Sequence, residues 1–267
     1  MDRVLSSRGV KFEHRFDGGR TDERDLSMGP IGIGMCGRYT LFVDQDDLED
    51  RFDARFTEPF APRYNMAPGQ RLPVITSENP ETIQSLEWGL VPSWADDDSN
   101  GLINARAETV DEKPSFREAY DQRRALVLAD GFYEWTETDD GGKQPYRVAF
   151  EDDRPFAMAG LWERWEPETT QTGLESFGGG AGDAEAGDGA GPLETFTIVT
   201  TPPNDLVGEL HHRMAAILEP TVERDWLTGA ASTTALEPHP ADEMVAYPVS
   251  TAVNSPATDE PSLVESV

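Results

Sequence analysis

Cys36 is the only cysteine of the 267-residue chain, in the run Met35-Cys36-Gly37-Arg38-Tyr39-Thr40. As an amino-terminal residue it would carry an α-amine and a thiol on adjacent carbons, with pKa values of roughly 8 and 8.5. Such a pair condenses with an aldehyde to close a thiazolidine ring; a cysteine inside a chain has its nitrogen in a peptide bond and cannot. A lone cysteine is by default an inert small hydrophobe, so the other polar residues decide. Phe132-Tyr133-Glu134-Trp135 sets a carboxylate among aromatics. On a strand over 132–136, Glu134 shares a face with Phe132 and Thr136, opposite Tyr133 and Trp135. Partial desolvation there raises a carboxyl into acid/base range, although the segment also fits a surface glutamate on an edge strand. Asn104, Arg106 and Glu108 interrupt an apolar pattern. His211-His212-Arg213-Met214 adds two imidazoles. On a strand adjacent histidines point to opposite faces, so at most one serves a shared site, and a metal pair is not expected. Trp88 and Trp94 flank the turn Gly89-Leu90-Val91-Pro92-Ser93; they read as core plugs, the commoner fate of tryptophan, or as a surface on which bases stack.

One cysteine excludes an internal disulfide and a multi-cysteine zinc cage. Gly178-Gly179-Gly180-Ala181-Gly182-Asp183 has no Lys-Ser/Thr ending and no following helix, so it is not a phosphate loop. No metal and no cofactor is expected. No apolar run approaches a membrane span and no signal-peptide core opens the chain, which predicts a cytoplasmic protein with no membrane partner, expected as a monomer. The formal net charge of −29, with scarce lysine, is a surface of the kind halophilic proteins carry, an argument about solubility rather than fold. At about 1 M salt the screening length is roughly 3 Å, so an anionic partner would be held by short-range contacts.

Residues 1–34 contain six Lys/Arg and six Asp/Glu, so the whole net charge belongs to 35–267. That leader is Gly-rich and aperiodic, and the expectation is that it is disordered or absent from the mature protein, with translation starting at Met35. From Arg38 the pattern turns globular: a β-rich run to Val43, an N-cap at Asp44 before an amphipathic helix to Arg55, and a proline-bounded loop from Arg63 to Gln70. Strands are predicted over 72–76, 82–88, 126–129, 132–136, 145–150, 156–165, 196–200, 215–218 and 245–249. Ser115-Phe116-Arg117-Glu118 fits a capping box opening a short helix, and another helix spans 220–227. A flexible acidic Gly-rich insertion is expected at about 166–194 and a loose acidic tail over 256–267. With no repeat or second composition class between 35 and 255, the fold class is α+β: a single domain with a largely antiparallel, barrel-like β core and flanking short helices.

Six runs in order, Met35-Cys36-Gly37-Arg38-Tyr39, Arg63-Tyr64-Asn65-Met66-Ala67-Pro68, Trp88-Gly89-Leu90-Val91-Pro92-Ser93-Trp94, Asn104-Ala105-Arg106-Ala107-Glu108, Ala129-Asp130-Gly131-Phe132-Tyr133-Glu134-Trp135 and His211-His212-Arg213-Met214, resemble the SRAP family, the SOS response-associated peptidase-like proteins. The resemblance covers residue 35 to about 255. It implies a sensor of abasic sites in single-stranded DNA that crosslinks reversibly to the ring-opened deoxyribose aldehyde. It further implies that Cys36 crosslinks, Asn104 orients it, Glu134 is the acid/base group and His211 assists ring opening. Arg38 and Arg106 then resemble phosphate contacts, with Arg213 a weaker one, and Trp94 a surface against flanking bases. Two departures stand out. The family usually begins at its cysteine, and the motif after the histidine usually reaches a proline where Ala215 stands here, a change expected to be tolerated beyond the reactive atoms. Two other function classes remain open: a thiol peptidase with Cys36 activated by His211 and removing its own leader, and a non-catalytic reader of modified or single-stranded DNA.

Overall fold

The computed structural model describes residues 36–99, 101–139, 141–166 and 191–267; the expected leader and 167–190, the middle of the expected insertion, lie outside them. The first half runs β1 (Tyr39–Leu41), α1 (Gln45–Phe52), β2 (Arg55–Phe56), β3 (Arg63–Met66), β4 (Arg71–Thr76), β5 (Thr82–Trp88), β6 (Asn104–Arg106), α2 (Arg117–Gln122) and β7 (Arg124–Ala129). The second runs β8 (Gly131–Glu137), β9 (Lys143–Phe150), β10 (Phe156–Trp165), β11 (Leu193–Thr201), β12 (Met214–Ala215), β13 (Ile217–Leu218), α3 (Pro220–Thr228) and β14 (Met244–Pro248).

Strands β5, β4, β7, β10 and β11 pair antiparallel in that order, and a parallel contact of β11 with β5 closes them into a barrel. Closure explains why β7 and nearly all of β10 are buried at every position instead of alternating. The strands come close at Gly160, where an added Cβ would lie 2.8 Å from the side chain of Val127. Trp88 and Phe196 stack at the parallel seam with centroids 6.2 Å apart, and α3 packs Trp226 against β7. Trp88 is therefore core, as its type suggested, whereas Trp94 is 63% exposed. The expected single antiparallel, barrel-like domain is what forms. No helix among the described residues is long and apolar enough to cross a membrane.

A second sheet, ordered β14-β9-β8-β1-β3, carries the future site. The chain passes from barrel strand β7 to β8 through Asp130 alone. Its buried carboxylate accepts from the Thr40 hydroxyl at 2.6 Å and from the backbone N–H groups of Phe42 and Val43. These bonds pin β1 to the β7–β8 junction and set the register Tyr39 opposite Phe132. Continued outward, that register brings Gly37 level with Glu134.

Several local expectations change. Arg63–Met66 is strand β3, not loop: it pairs with β1, and the carboxylate of Asp259 takes the outward N–H groups of Tyr64 and Asn65 at 2.6 and 3.0 Å. Ser115 does not cap a helix; α2 starts at Arg117 with Phe116 as N-cap, and Glu118 pairs with Arg123 instead. Asp44 does occupy the N-cap of α1 in extended backbone, but without a side-chain cap. The strand expected over 215–218 splits at Ala216: β12 pairs with β11 and β13 with β10.

The tail over 256–267 is not loose. Leu263 is fully buried with Tyr133, Trp135, Val249 and Val253, the Tyr133 hydroxyl donates to the Leu263 carbonyl, and Val267 N–H donates to Pro248. Its acidity concealed one apolar anchor and one structural carboxylate. Asp259→Ala orphans two strand-edge N–H groups and leaves the Arg63 guanidinium with Gln70 alone. The expected loss is about 1–3 kcal/mol, read as a fall of several degrees in the thermal midpoint; an unchanged midpoint would mean the strap adds nothing.

Candidate active site around Cys36

Cys36 lies in the turn before β1, with its backbone at φ 44° and 3% exposure. A positive φ is unusual for a residue with a side chain and is held here by surrounding structure. The backbone nitrogen and Sγ of Cys36 each lie 3.1 Å from the same oxygen, Oε1 of Glu134. One carboxyl thus addresses both atoms that a terminal cysteine would use. Burial, then the charge of Glu134 and its hydrogen bond, push the thiol pKa well above its ordinary value, while the Ala215 backbone N–H and the Arg213 charge pull the other way. At rest the sulfur is a thiol, not a thiolate.

Glu134 is 3% exposed, on the middle strand of its sheet, so the edge-strand surface reading does not hold. Alternation behaves as expected: Phe132 joins the main core and Tyr133 and Trp135 a separate cluster behind the sheet. Desolvation raises the Glu134 pKa from 4.5 to about 7, against the two hydrogen bonds from Cys36, which lower it. A carboxyl with that pKa both takes and gives a proton near neutrality.

His211 follows a short 3₁₀ turn, Val207–Glu209, and its N–H donates to the Val207 carbonyl at 2.8 Å. Its Nδ1 is 3.8 Å from Oε2 of Glu134, on the side away from the thiol. Burial chiefly lowers its pKa, with His212 and Lys143 adding positive charge nearby, so the ring is neutral at pH 7. The opposite-face expectation for the two histidines fails. Residues 211–213 form a bend, not a strand, and the rings lie 4.3 Å apart at 40°. Only His211 reaches Glu134.

Asn104 and Arg106 share one side of β6, with Ala105 buried on the other; β6 runs parallel to β11, Asn104 beside Ile198 and Arg106 beside Thr200. Arg106 is exposed. Arg213 is not: its guanidinium grips the Glu108 carboxylate with both terminal nitrogens and also donates to the Thr200 carbonyl. A buried, doubly engaged arginine braces the segment between β6 and the histidine bend. Arg38 bonds Oδ1 of Asn65 at 2.8 Å and the carbonyls of Val253 and Asn254, keeping part of its fork exposed.

The profile described as SOS response associated peptidase (SRAP) matches residues 35–256. The chain belongs to the SRAP family. Among similar sequences, the abasic site processing protein YoqW of Bacillus subtilis is 39% identical over 244 residues, covering 87% of this chain and all of YoqW. The abasic site processing protein HMCES of chicken is 32% identical over 269 residues, covering 86% of this chain and 74% of its own. A solved structure from Bacteroides thetaiotaomicron superposes with a TM-score of 0.71 at 27% identity, covering 87% of this chain and the whole of the other.

Within this SRAP fold, Cys36, Glu134 and His211 come together, while Arg106 and Trp94 are exposed and Arg38 is half-buried. Sequence reasoning missed the Ala215 N–H. Ala215 is not remote from the reactive atoms, because its backbone acts to lower the thiol pKa, and a proline there would have no hydrogen to offer. It also missed Asn65 and Asp259, whose roles depend on partners 194 and 195 residues or so apart in the chain.

Proposed function

We propose that this protein processes abasic sites in single-stranded DNA, with Cys36 exposed as the first residue and joined to the lesion as a thiazolidine. The observation that carries the proposal is the placement of Cys36 N and Sγ at 3.1 Å from one oxygen of a desolvated carboxyl. The names of the related proteins, abasic site processing proteins, support the substrate class. In this reading the events run in the following order. His211 moves a proton at the sugar ring oxygen as the ring opens to the aldehyde. Glu134 takes a proton from the α-ammonium, the free amine attacks the carbonyl carbon, and Glu134 returns a proton as the hydroxyl leaves as water. The sulfur then adds to the imine carbon while its proton passes to nitrogen. Aldehyde and aminothiol give ring and water, with nothing oxidised or reduced, and each step runs in reverse. Asn104 would orient the cysteine. Arg38 and Arg106 would hold phosphates and Trp94 would stack on a base, shielding the lesion during a damage response.

Arg106→Ala tests the DNA reading. Loss of one phosphate contact should weaken single-strand binding and reduce the salt slope by about 0.7. An unchanged slope would remove Arg106 from the interface.

A second reading rests on the same contact. Glu134 holds the N–H of the bond between residues 35 and 36, so it could protonate the leaving amine if the chain releases its own leader. A thiol activated by His211 is not the geometry present, because Sγ bonds Glu134 and His211 meets the other oxygen. Self-release would appear as cleavage before Cys36 in a chain expressed from Met1, lost in Cys36→Ser.

A further inference from the structure

Beside the site, on the outer side of His211, a depression of about 400 Å³ is lined by Trp135, Glu137, Lys143, His211 and His212 and by residues 208–210. The mechanism above uses only one of these side chains. Lys143 opens β9 directly opposite Glu137 of β8, three residues beyond Glu134. It is one of three lysines in the chain, is exposed, and takes part in none of the ion pairs among the described residues. In a molecule of net charge −29, where more than half of the arginines among the described residues pair with carboxylates, a cation in none of those ion pairs next to the site is placed for an anion. His212 is exposed, with its ring tilted 40° to that of His211 at 4.3 Å between centroids, so part of the imidazole is open to solvent. The Trp135 indole behind them is fixed by its N–H to Oδ1 of Asn254 at 2.8 Å. Exposed Glu137 and Glu209 offer acceptors at the rim.

We infer that this depression is a nucleotide subsite for the intact residue next to the abasic sugar. Its phosphate lies on Lys143, its base over the open part of the His212 imidazole, and an exocyclic amine of that base on Glu137 or Glu209. The inference rests on the abasic-strand reading of the preceding section. An imidazole face stacks with any base, while carboxylates at the rim accept from the exocyclic amine that adenine, cytosine and guanine carry and thymine lacks, thymine offering only its ring N3–H. Two carboxylates next to one lysine therefore make the subsite selective, where a purely basic pocket would not discriminate. The consequence is a preference confined to one flank of the lesion.

The test uses protein beginning at Cys36 and single-stranded oligonucleotides with one abasic site, with cytosine or thymine placed on the 5′ or, separately, the 3′ neighbour. Cytosine is expected to be favoured about threefold to tenfold on one side only, the worth of a hydrogen bond or so. Glu137→Ala with Glu209→Ala should abolish that preference. Lys143→Gln should weaken binding and lower the salt slope by about 0.7. Because all three side chains are exposed, these variants test the site without testing the fold. Adduct formation with no flank preference and an unaltered Lys143→Gln slope would overturn the subsite alone. No adduct with any oligonucleotide would overturn the underlying reading and the subsite with it.

Discussion

Protein that begins at Cys36 is expected to form an adduct with abasic single-stranded DNA that survives denaturation without a reducing agent, and Cys36→Ala to form none. The effect is all-or-none because ring closure needs amine and thiol on one residue. Cys36→Ser separates the two requirements. It keeps the α-amine 3.1 Å from Glu134 but lacks the sulfur, so it should stop at an imine that is detected only after borohydride trapping. A chain retaining even Met35 has an amide nitrogen there, whose lone pair is delocalised into the carbonyl, and should give neither product. A stable adduct from the Met35-retaining chain, checked by intact mass, would sink the terminal-cysteine mechanism and leave DNA binding to be explained by the surface residues alone.

The second large effect is at Glu134. Glu134→Gln preserves shape and removes the proton carrier, so crosslinking at saturating DNA should slow by about 10²- to 10⁴-fold with single-strand affinity largely retained. Equal loss of rate and affinity would mean the residue shapes the site and moves no proton. Stability should move the other way. With Cys36 in peptide linkage the Glu134 carboxyl is raised from 4.5 to about 7 by burial. The folded state then keeps a proton that the unfolded chain has already released. The cost of the buried carboxylate is absent below about pH 4.5, grows as pH rises through that window, and is complete above about pH 7. At about 1.4 kcal/mol per pKa unit this reaches about 3 kcal/mol. In the leader-retaining chain, Glu134→Gln should therefore be more stable than the parent at pH 8 by up to that amount and equal to it at pH 4.5. A flat difference across pH would show that the carboxyl is not desolvated. In protein beginning at Cys36 the difference should shrink, because an α-ammonium beside Oε1 favours the carboxylate. Function here is kept at the expense of stability, as is common where a site holds a perturbed group.

Much of this is legible in the amino-acid sequence. Residues that alternate or run apolar report which face meets solvent, and the barrel strands carry that pattern plainly. The resemblance carried by the six ordered runs, rather than residue type alone, pointed to Cys36, Glu134 and His211. What the pattern could not carry is the identity of long-range partners. Arg63–Met66 looks like loop because its strand character comes from β1 on one side and the Asp259 carboxylate on the other. Arg213 has the composition of a phosphate contact and the surroundings of a buried brace. The His211–His212 pair obeys strand alternation only if it is a strand, and a 3₁₀ turn before it makes it a bend.

By itself the sequence determined the inventory: one thiol, one carboxylate among aromatics, a histidine pair, a strongly acidic surface, and strands whose periodicity calls for a closed sheet. Only the tertiary structure decided that the nitrogen and sulfur of Cys36 meet a single oxygen of Glu134. That convergence depends on residues 98 positions apart. It is set by the bonds of Asp130 to β1, which fix a register, and by burial, which shifts a proton. Neither is a local property of the chain.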